Sequence, residues 1–338
     1  MSGFEGREGS DAHTFRPFPG LGNPHAQTIG GRLRRARLRP RYRRVRIDTD
    51  DGDFLDLDVR DLDKPARATC LLLHGLEGCA RSGYMLATAE ALAAHDIVAI
   101  ALNFRSCGGS PNRTLGTYHS GRTDDLRRAL AWTEREFPGL RRTAAGYSLG
   151  GNALLVHLGS AGPAAGLDAA AAVSVPYELG LCADALERGL GKLYASYFLR
   201  SLGAKLEEKA RRFPGQVSER ALSAGSMREF DDAFTAPVHG FASAEDYYSR
   251  CSAARFVDGV RVPTLLLQAE DDPLVPARSI PHAMIEANDA LRLIVTGRGG
   301  HVGYYGRGDT GRRPGWMERR VADHLAGRLD GAAPAAKR

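Results

Sequence analysis

The sequence predicts an α/β fold: a mostly parallel central sheet with helices on both faces and a helical cap inserted late in the chain. Two observations carry this. Continuous apolar runs such as Cys70–Leu73 and Ile97–Leu102 are what strands covered on both faces require. Such runs also alternate with helical stretches along the chain, the pattern of strand–helix–strand units.

In order, residues 1–40 are rich in Gly, Pro and Arg, and Pro17, Pro19, Pro24 and Pro40 argue against a long helix there. From Phe54 the pattern alternates, with Leu55, Leu57 and Val59 on one face and Asp56 and Asp58 on the other. This predicts a half-buried antiparallel strand. The buried runs at 70–73 and 97–102 flank a helix over Tyr84–Ala94. A helix over Asp124–Glu136, a strand Thr143–Tyr147, a helix Leu149–Leu158 and a strand Ala169–Val175 follow. After Pro176 the chain reads as amphipathic helix to about Asp258. Strands return at Thr264–Leu267 and Leu291–Val295, and Trp316–Leu329 is the last helix. The expected organisation is an N-terminal extension over 1–40 packing on a core of 41–176 and 260–330, with a helical cap over 177–259. Ala332–Arg338 reads as a frayed tail.

Composition bounds the function. Of 338 residues 43% are hydrophobic and 25% charged, ordinary for a globular protein and unlike a disordered chain or a fibre. No apolar run approaches the roughly 20 residues of a membrane helix, and Met1–Ser10 lacks the apolar core of a secretory signal. The five cysteines, Cys70, Cys79, Cys107, Cys182 and Cys251, show no C-x-x-C spacing and read as reduced thiols of a cytoplasmic protein. The net charge is +6, and nine arginines crowd Arg32–Arg46. A solvated strand and loop, or contact with an anionic membrane, accounts for that stretch. Nucleic acid is not expected, because only Tyr42 is available there for base stacking. No metal-ligand cluster, P-loop or G-x-G-x-x-G presents itself, so neither a metal nor a cofactor is expected.

The chemistry-bearing residues follow strands. Gly146-Tyr147-Ser148-Leu149-Gly150 fits G-x-S-x-G between a strand and a helix. Small residues two before and two after the serine permit the sharp turn that exposes its hydroxyl. A serine hydroxyl needs a positioned base. Downstream, Asp271-Asp272-Pro273 follows one apolar strand and Gly299-Gly300-His301 the next. Serine, carboxylate and histidine in that order predict Ser148, Asp272 and His301 as nucleophile, acid and base, with Asp272 preferred to Asp271. His74-Gly75-Leu76-Glu77-Gly78 ends the first buried strand. The amides of Leu76 and Leu149 are the expected oxyanion-hole donors, and His74 reads as structural. Apolar and aromatic cap residues Leu190, Leu193, Tyr194, Tyr197, Phe198 and Leu199 are expected to roof an acyl pocket.

Together with Asn23-Pro24-His25, Gln27-Thr28, Asn103-Phe104-Arg105, Cys107, Tyr118-His119-Ser120-Gly121, Phe230-Asp231-Asp232 and Asp246-Tyr247-Tyr248, these motifs resemble the YheT/ABHD1–ABHD3-type (AB hydrolase 4) branch of the α/β-hydrolases over nearly the whole chain. Ser106 departs from the glycine usual after Asn-Phe-Arg in that family. The resemblance implies an α/β-hydrolase fold and a serine esterase or lipase acting on a small acyl ester or lipid, with its triad at Ser148, Asp272 and His301. A catalytically silent scaffold, and a thioester or amide hydrolase using the same residues, remain the alternatives.

Overall fold

The computed structural model describes residues 15–35, 38 and 41–330. The first fourteen residues of the N-terminal extension, part of the arginine-rich stretch and the tail Ala332–Arg338 lie outside the described residues. Eight strands form one sheet: β1 (Arg43–Asp48), β2 (Phe54–Arg60), β3 (Ala68–Leu73), β4 (Ile97–Asn103), β5 (Arg141–Tyr147), β6 (Ala169–Val173), β7 (Thr264–Ala269) and β8 (Leu291–Thr296). Their order is β1-β2-β4-β3-β5-β6-β7-β8. β2 runs antiparallel to both β1 and β4, and every other pair is parallel. From β3 the chain crosses to β4 on one side and later to β5 on the other. The C-terminal ends of β3 and β5 therefore flank a topological switch point, where open parallel sheets build their sites.

All residues of β3 and β4, and Thr143–Tyr147 of β5, are buried, as strands covered on both faces require. On one face Leu71, Leu73, Ile100 and Leu102 pack with α3 (Asp124–Glu136) and α4 (Leu149–Ala161). On the other, Cys70, Leu72, Ala99 and Ala101 pack with α2 (Gly83–Ala93) and the last helix, Trp316–Asp330. Between β6 and β7 the chain contains no strand. It forms α5 (Leu179–Leu186), α6 (Gly191–Arg212) and several shorter helices, and ends in Ala253, Ala254 and Val257, which pack into the core cluster that contains α4.

Two sequence expectations need correction. β2 is not half-buried: Phe54 to Val59 are all buried, Asp56 and Asp58 included. The antiparallel register sets Arg44 opposite Asp58 and Arg46 opposite Asp56, and each guanidinium makes a two-pronged pair with its carboxylate at 2.7–2.9 Å. The polar face of β2 is thus covered by arginine rather than by water, and the pairing compensates the burial of charge. The second correction concerns the prolines. A twelve-residue helix, α1 (Pro24–Arg35), begins on one of them, because proline at the first helical position lacks only an N–H that would be unsatisfied anyway. Asn23 caps it, its side-chain oxygen accepting from the amides of His25 and Ala26.

Candidate active site

Ser148 stands on the turn between β5 and α4 with φ 53° and ψ −122°, a left-handed conformation costly for any residue with a Cβ. Its neighbours explain why the pattern needs glycine. A Cβ on Gly146 would lie 2.4 Å from the Gly150 carbonyl oxygen, and one on Gly150 only 2.5 Å from that of Leu73. Strand, turn and helix pack too closely for any side chain there, and that closeness lifts the Ser148 hydroxyl above the sheet edge.

The structure brings Ser148, Asp272 and His301 into one hydrogen-bonded line. His301 Nε2 lies 2.9 Å from Ser148 Oγ, and its Nδ1 lies 2.9 Å from Asp272 Oδ2. Asp272 Oδ1 also accepts from the amides of Leu274 and Val275. The carboxylate is so placed as an acceptor that His301 carries its proton on Nδ1 and offers Nε2 to the serine. Asp271 turns away: its Oδ1 accepts from the Gly300 amide at 2.9 Å, and burial raises its pKa.

The loop after β3 abuts the serine, since a Cβ on Gly75 would lie 3.1 Å from Ser148 Cβ. The Gly75 amide donates to the Tyr84 hydroxyl and the Glu77 amide to that of Tyr118, fixing the loop on both sides of Leu76. Leu149 opens α4, so its amide has no partner within the helix. Leu76, Ser148, Leu149 and His301 line one cavity. His74 is buried, with Nδ1 2.7 Å from the Gly75 oxygen and Nε2 accepting from the Phe104 amide. Burial lowers its pKa to about 4, so it stays neutral.

Two spaces meet at Ser148 and His301. The inner is a cavity of about 140 Å³ walled largely by apolar side chains, among them Phe198, Leu202, Leu206, Phe230 and Leu274. The outer is a groove of about 590 Å³ bordered by Thr28, Glu77, Arg81, Tyr84 and Tyr197. Of the expected roof residues, Phe198 lines the inner cavity and Tyr197 the groove, whereas Leu190 and Leu193 are exposed. The α6 lining runs through Phe198, Leu202 and Leu206, a four-residue spacing on one helical face.

Sequence reasoning missed three supports of this site. Thr28 Oγ1 accepts from the His301 amide at 3.0 Å. Gln27 is wholly buried, donates to the carbonyls of Leu21 and Tyr305, and accepts from the Tyr305 amide. Glu77, at φ 52°, accepts from Tyr118, Lys205 and Ser201 and so ties the β3 loop to α6. The motif Asn-Pro-His-x-Gln-Thr was the available signal for the first two.

Residues 69–307 match the family model of the alpha/beta hydrolase fold. The chain is 36% identical over 333 residues to YheT of Escherichia coli (strain K12), covering 96% of this chain and 97% of that one. It is 34% identical over 272 residues to phospholipase ABHD3 of Mus musculus, covering 78% of this chain and 66% of that one. It is 29% identical over 259 residues to the monoacylglycerol lipase of Saccharomyces cerevisiae, covering 73% of this chain and 57% of that one. Among solved structures, the Pyrococcus furiosus esterase Pf2001 superposes with a TM-score of 0.56 at 19% identity, covering 95% of this chain and all of that one, a likeness of fold. No described helix is long and apolar enough to cross a membrane. With the sheet order, the strand-end site and these relatives in agreement, the chain belongs to the α/β-hydrolase family, in its YheT/ABHD-type branch.

Proposed function

We propose that the protein is a carboxylic ester hydrolase of the esterase and lipase type, working through an acyl-enzyme on Ser148. The observation that carries the reading is the contact of His301 Nε2 with Ser148 Oγ and of His301 Nδ1 with Asp272, at 2.9 Å each. Ser148 Oγ attacks the ester carbonyl carbon while its proton passes to His301 Nε2. Asp272 holds the ring in the required tautomer and stabilises the imidazolium. The carbonyl oxygen becomes an oxyanion that takes hydrogen bonds from the amides of Leu76 and Leu149. As the intermediate collapses, the C–O bond to the alcohol breaks and the imidazolium protonates the departing oxygen. Water then gives a proton to His301 and attacks the acyl carbon. The second collapse releases the acid and returns the proton to Ser148.

The two spaces suit the two halves of an ester. The inner cavity takes the acyl chain, for which the apolar face of α6 and its neighbours supply contact, and the outer groove takes the alcohol. In this reading residues 177–259 serve as the cap over the acyl side, and Gln27 and Thr28 of α1 serve as the brace of the histidine loop. The names phospholipase and monoacylglycerol lipase among the relatives favour a lipid ester. A chain-length series of p-nitrophenyl esters tests this: turnover should favour acyl chains that fill the cavity and disappear in Ser148→Ala. Turnover retained in Ser148→Ala, or none by the folded parent with any ester, contradicts it.

A further inference from the structure

Among the described residues seven large apolar side chains are exposed, and five of them lie on α1, at the N-cap of α6 or in its first turns: Ile29, Leu33, Leu190, Leu193 and Tyr197. Leu33 and Leu193 are 69% and 67% exposed, unusual for leucines on structured helices. The positions are not scattered. His25, Ile29 and Leu33 follow at four-residue steps and share one face of α1. Leu193, Tyr194 and Tyr197 share one face of α6, which the N-cap residue Leu190 extends at the i, i+3, i+4 and i+7 spacing. The two faces join where His25 Nδ1 stands 3.0 Å from the Tyr194 hydroxyl, with the rings 5.8 Å apart and nearly parallel. Tyr197 and Thr28, one from each helix, border the groove that leads to Ser148. The apolar strip therefore frames the mouth of the outer groove.

Its charge is one-sided. Residues 24–35 and 189–204 contain no Asp or Glu, while they hold Arg32, Arg34, Arg35, Lys192 and Arg200. Exposed leucines among cations, without acids, match an anionic lipid surface. Arg43, Arg44 and Arg46 of the basic stretch are differently employed, since they are paired with Asp61, Asp58 and Asp56.

We propose that the joined faces of α1 and α6 seat the protein on the surface of an anionic lipid aggregate, so that an ester enters the outer groove directly from the lipid. The seating stands on the surface alone; the entry of an ester rests on the hydrolase reading above.

The test uses the full chain with Ser148→Ala, which leaves vesicles intact, in sedimentation with vesicles of phosphatidylcholine alone or of phosphatidylcholine and phosphatidylglycerol in equal parts. Binding should require the anionic lipid and weaken with salt. Leu33→Ser with Leu193→Ser in the same background should lower it by at least roughly tenfold, and Leu33→Trp with Leu193→Trp should tighten it. With Ser148 restored, the double serine variant should hydrolyse p-nitrophenyl acetate as the parent does but lose activity on vesicle-borne ester. The proposal is overturned if the parent binds neither vesicle, if serine and tryptophan variants bind like the parent, or if the strip proves to hold a dimer that the serine variant dissociates. Leucine-dependent binding by a protein that turns over no ester would uphold the docking surface and remove the hydrolase reading instead.

Discussion

Thr28 accepts a hydrogen bond from the backbone amide of His301 at 3.0 Å, and its own hydroxyl donates to the Pro24 carbonyl. A residue from α1 thus fixes the loop that carries the histidine. Thr28→Val keeps the shape but removes the acceptor, and a small misplacement of a catalytic group is costly. We expect kcat for a soluble ester to fall about tenfold with KM little changed, and Thr28→Ser to restore it. Equal kinetics for Thr28→Val and the parent would show that the helix braces the fold and not the histidine.

Asp271 and Asp272 are neighbours with opposite surroundings. Asp272 faces His301 and takes two loop amides, whereas Asp271 takes the Gly300 amide. Asp272→Asn should lower kcat by roughly 10⁴ through loss of the correct tautomer. Asp271→Asn should leave kcat within about tenfold, since its amide oxygen still accepts from the Gly300 amide, and any loss should appear as a small fall in melting temperature from the weaker, uncharged acceptor. Steady-state kinetics of the two folded variants decide, and the reverse ranking would make Asp271 the acid.

Burial sets the acid tolerance of the fold. It lowers the pKa of His74, His239 and His324 to about 4, that of His119 to about 3, and that of His157 by a lesser amount. Unfolded, each histidine titrates near ~6.5, so between these values the unfolded chain binds more protons and stability falls as pH drops. Burial works in the other direction on Asp231, raised to about 6, and on Asp271, also raised. Asp231 thus binds its proton in the folded state first and offsets one of the four histidines held at about 3 or 4. Unfolding near pH ~5 should therefore take up about three protons, and stability should decline by roughly 4 kcal/mol per pH unit there. Urea denaturation at several pH values measures it. A stability independent of pH across this window would contradict the buried neutral histidines.

The turn that lifts Ser148 should tolerate no methyl group at Gly150, because the added carbon would meet the carbonyl oxygens of Leu73 and His74 at 2.5 and 2.6 Å. Both are backbone atoms and cannot rotate aside. Gly150→Ala should cost about 1–3 kcal/mol or more of stability, read as a shift in the denaturation midpoint at unchanged slope. An unshifted midpoint would mean that the β3 end moves freely away from α4.

The parallel strands were legible because burial on both faces leaves an uninterrupted apolar run, as at 97–102, and G-x-S-x-G was legible because its glycines answer a local steric demand. What escaped depended on partners distant in sequence. The alternation at Phe54–Val59 predicted water over Asp56 and Asp58, and nothing local says that Arg44 and Arg46 cover them. Thr28 and His301 are 273 residues apart, so their contact follows from how α1 docks and not from any spacing. The inner cavity was anticipated on the right helix but on a face displaced toward its start, because hydrophobicity alone does not separate an exposed Leu193 from a lining Leu202.

The central claim is that Ser148 is the nucleophile. Treating the native protein with a fluorophosphonate and mapping the adduct by peptide mass spectrometry tests it most directly. A single adduct on the Ser148 peptide, absent from Ser148→Ala and slowed in His301→Gln, is the predicted result. An adduct on any other residue, or an unmodified Ser148 in folded protein, would contradict it.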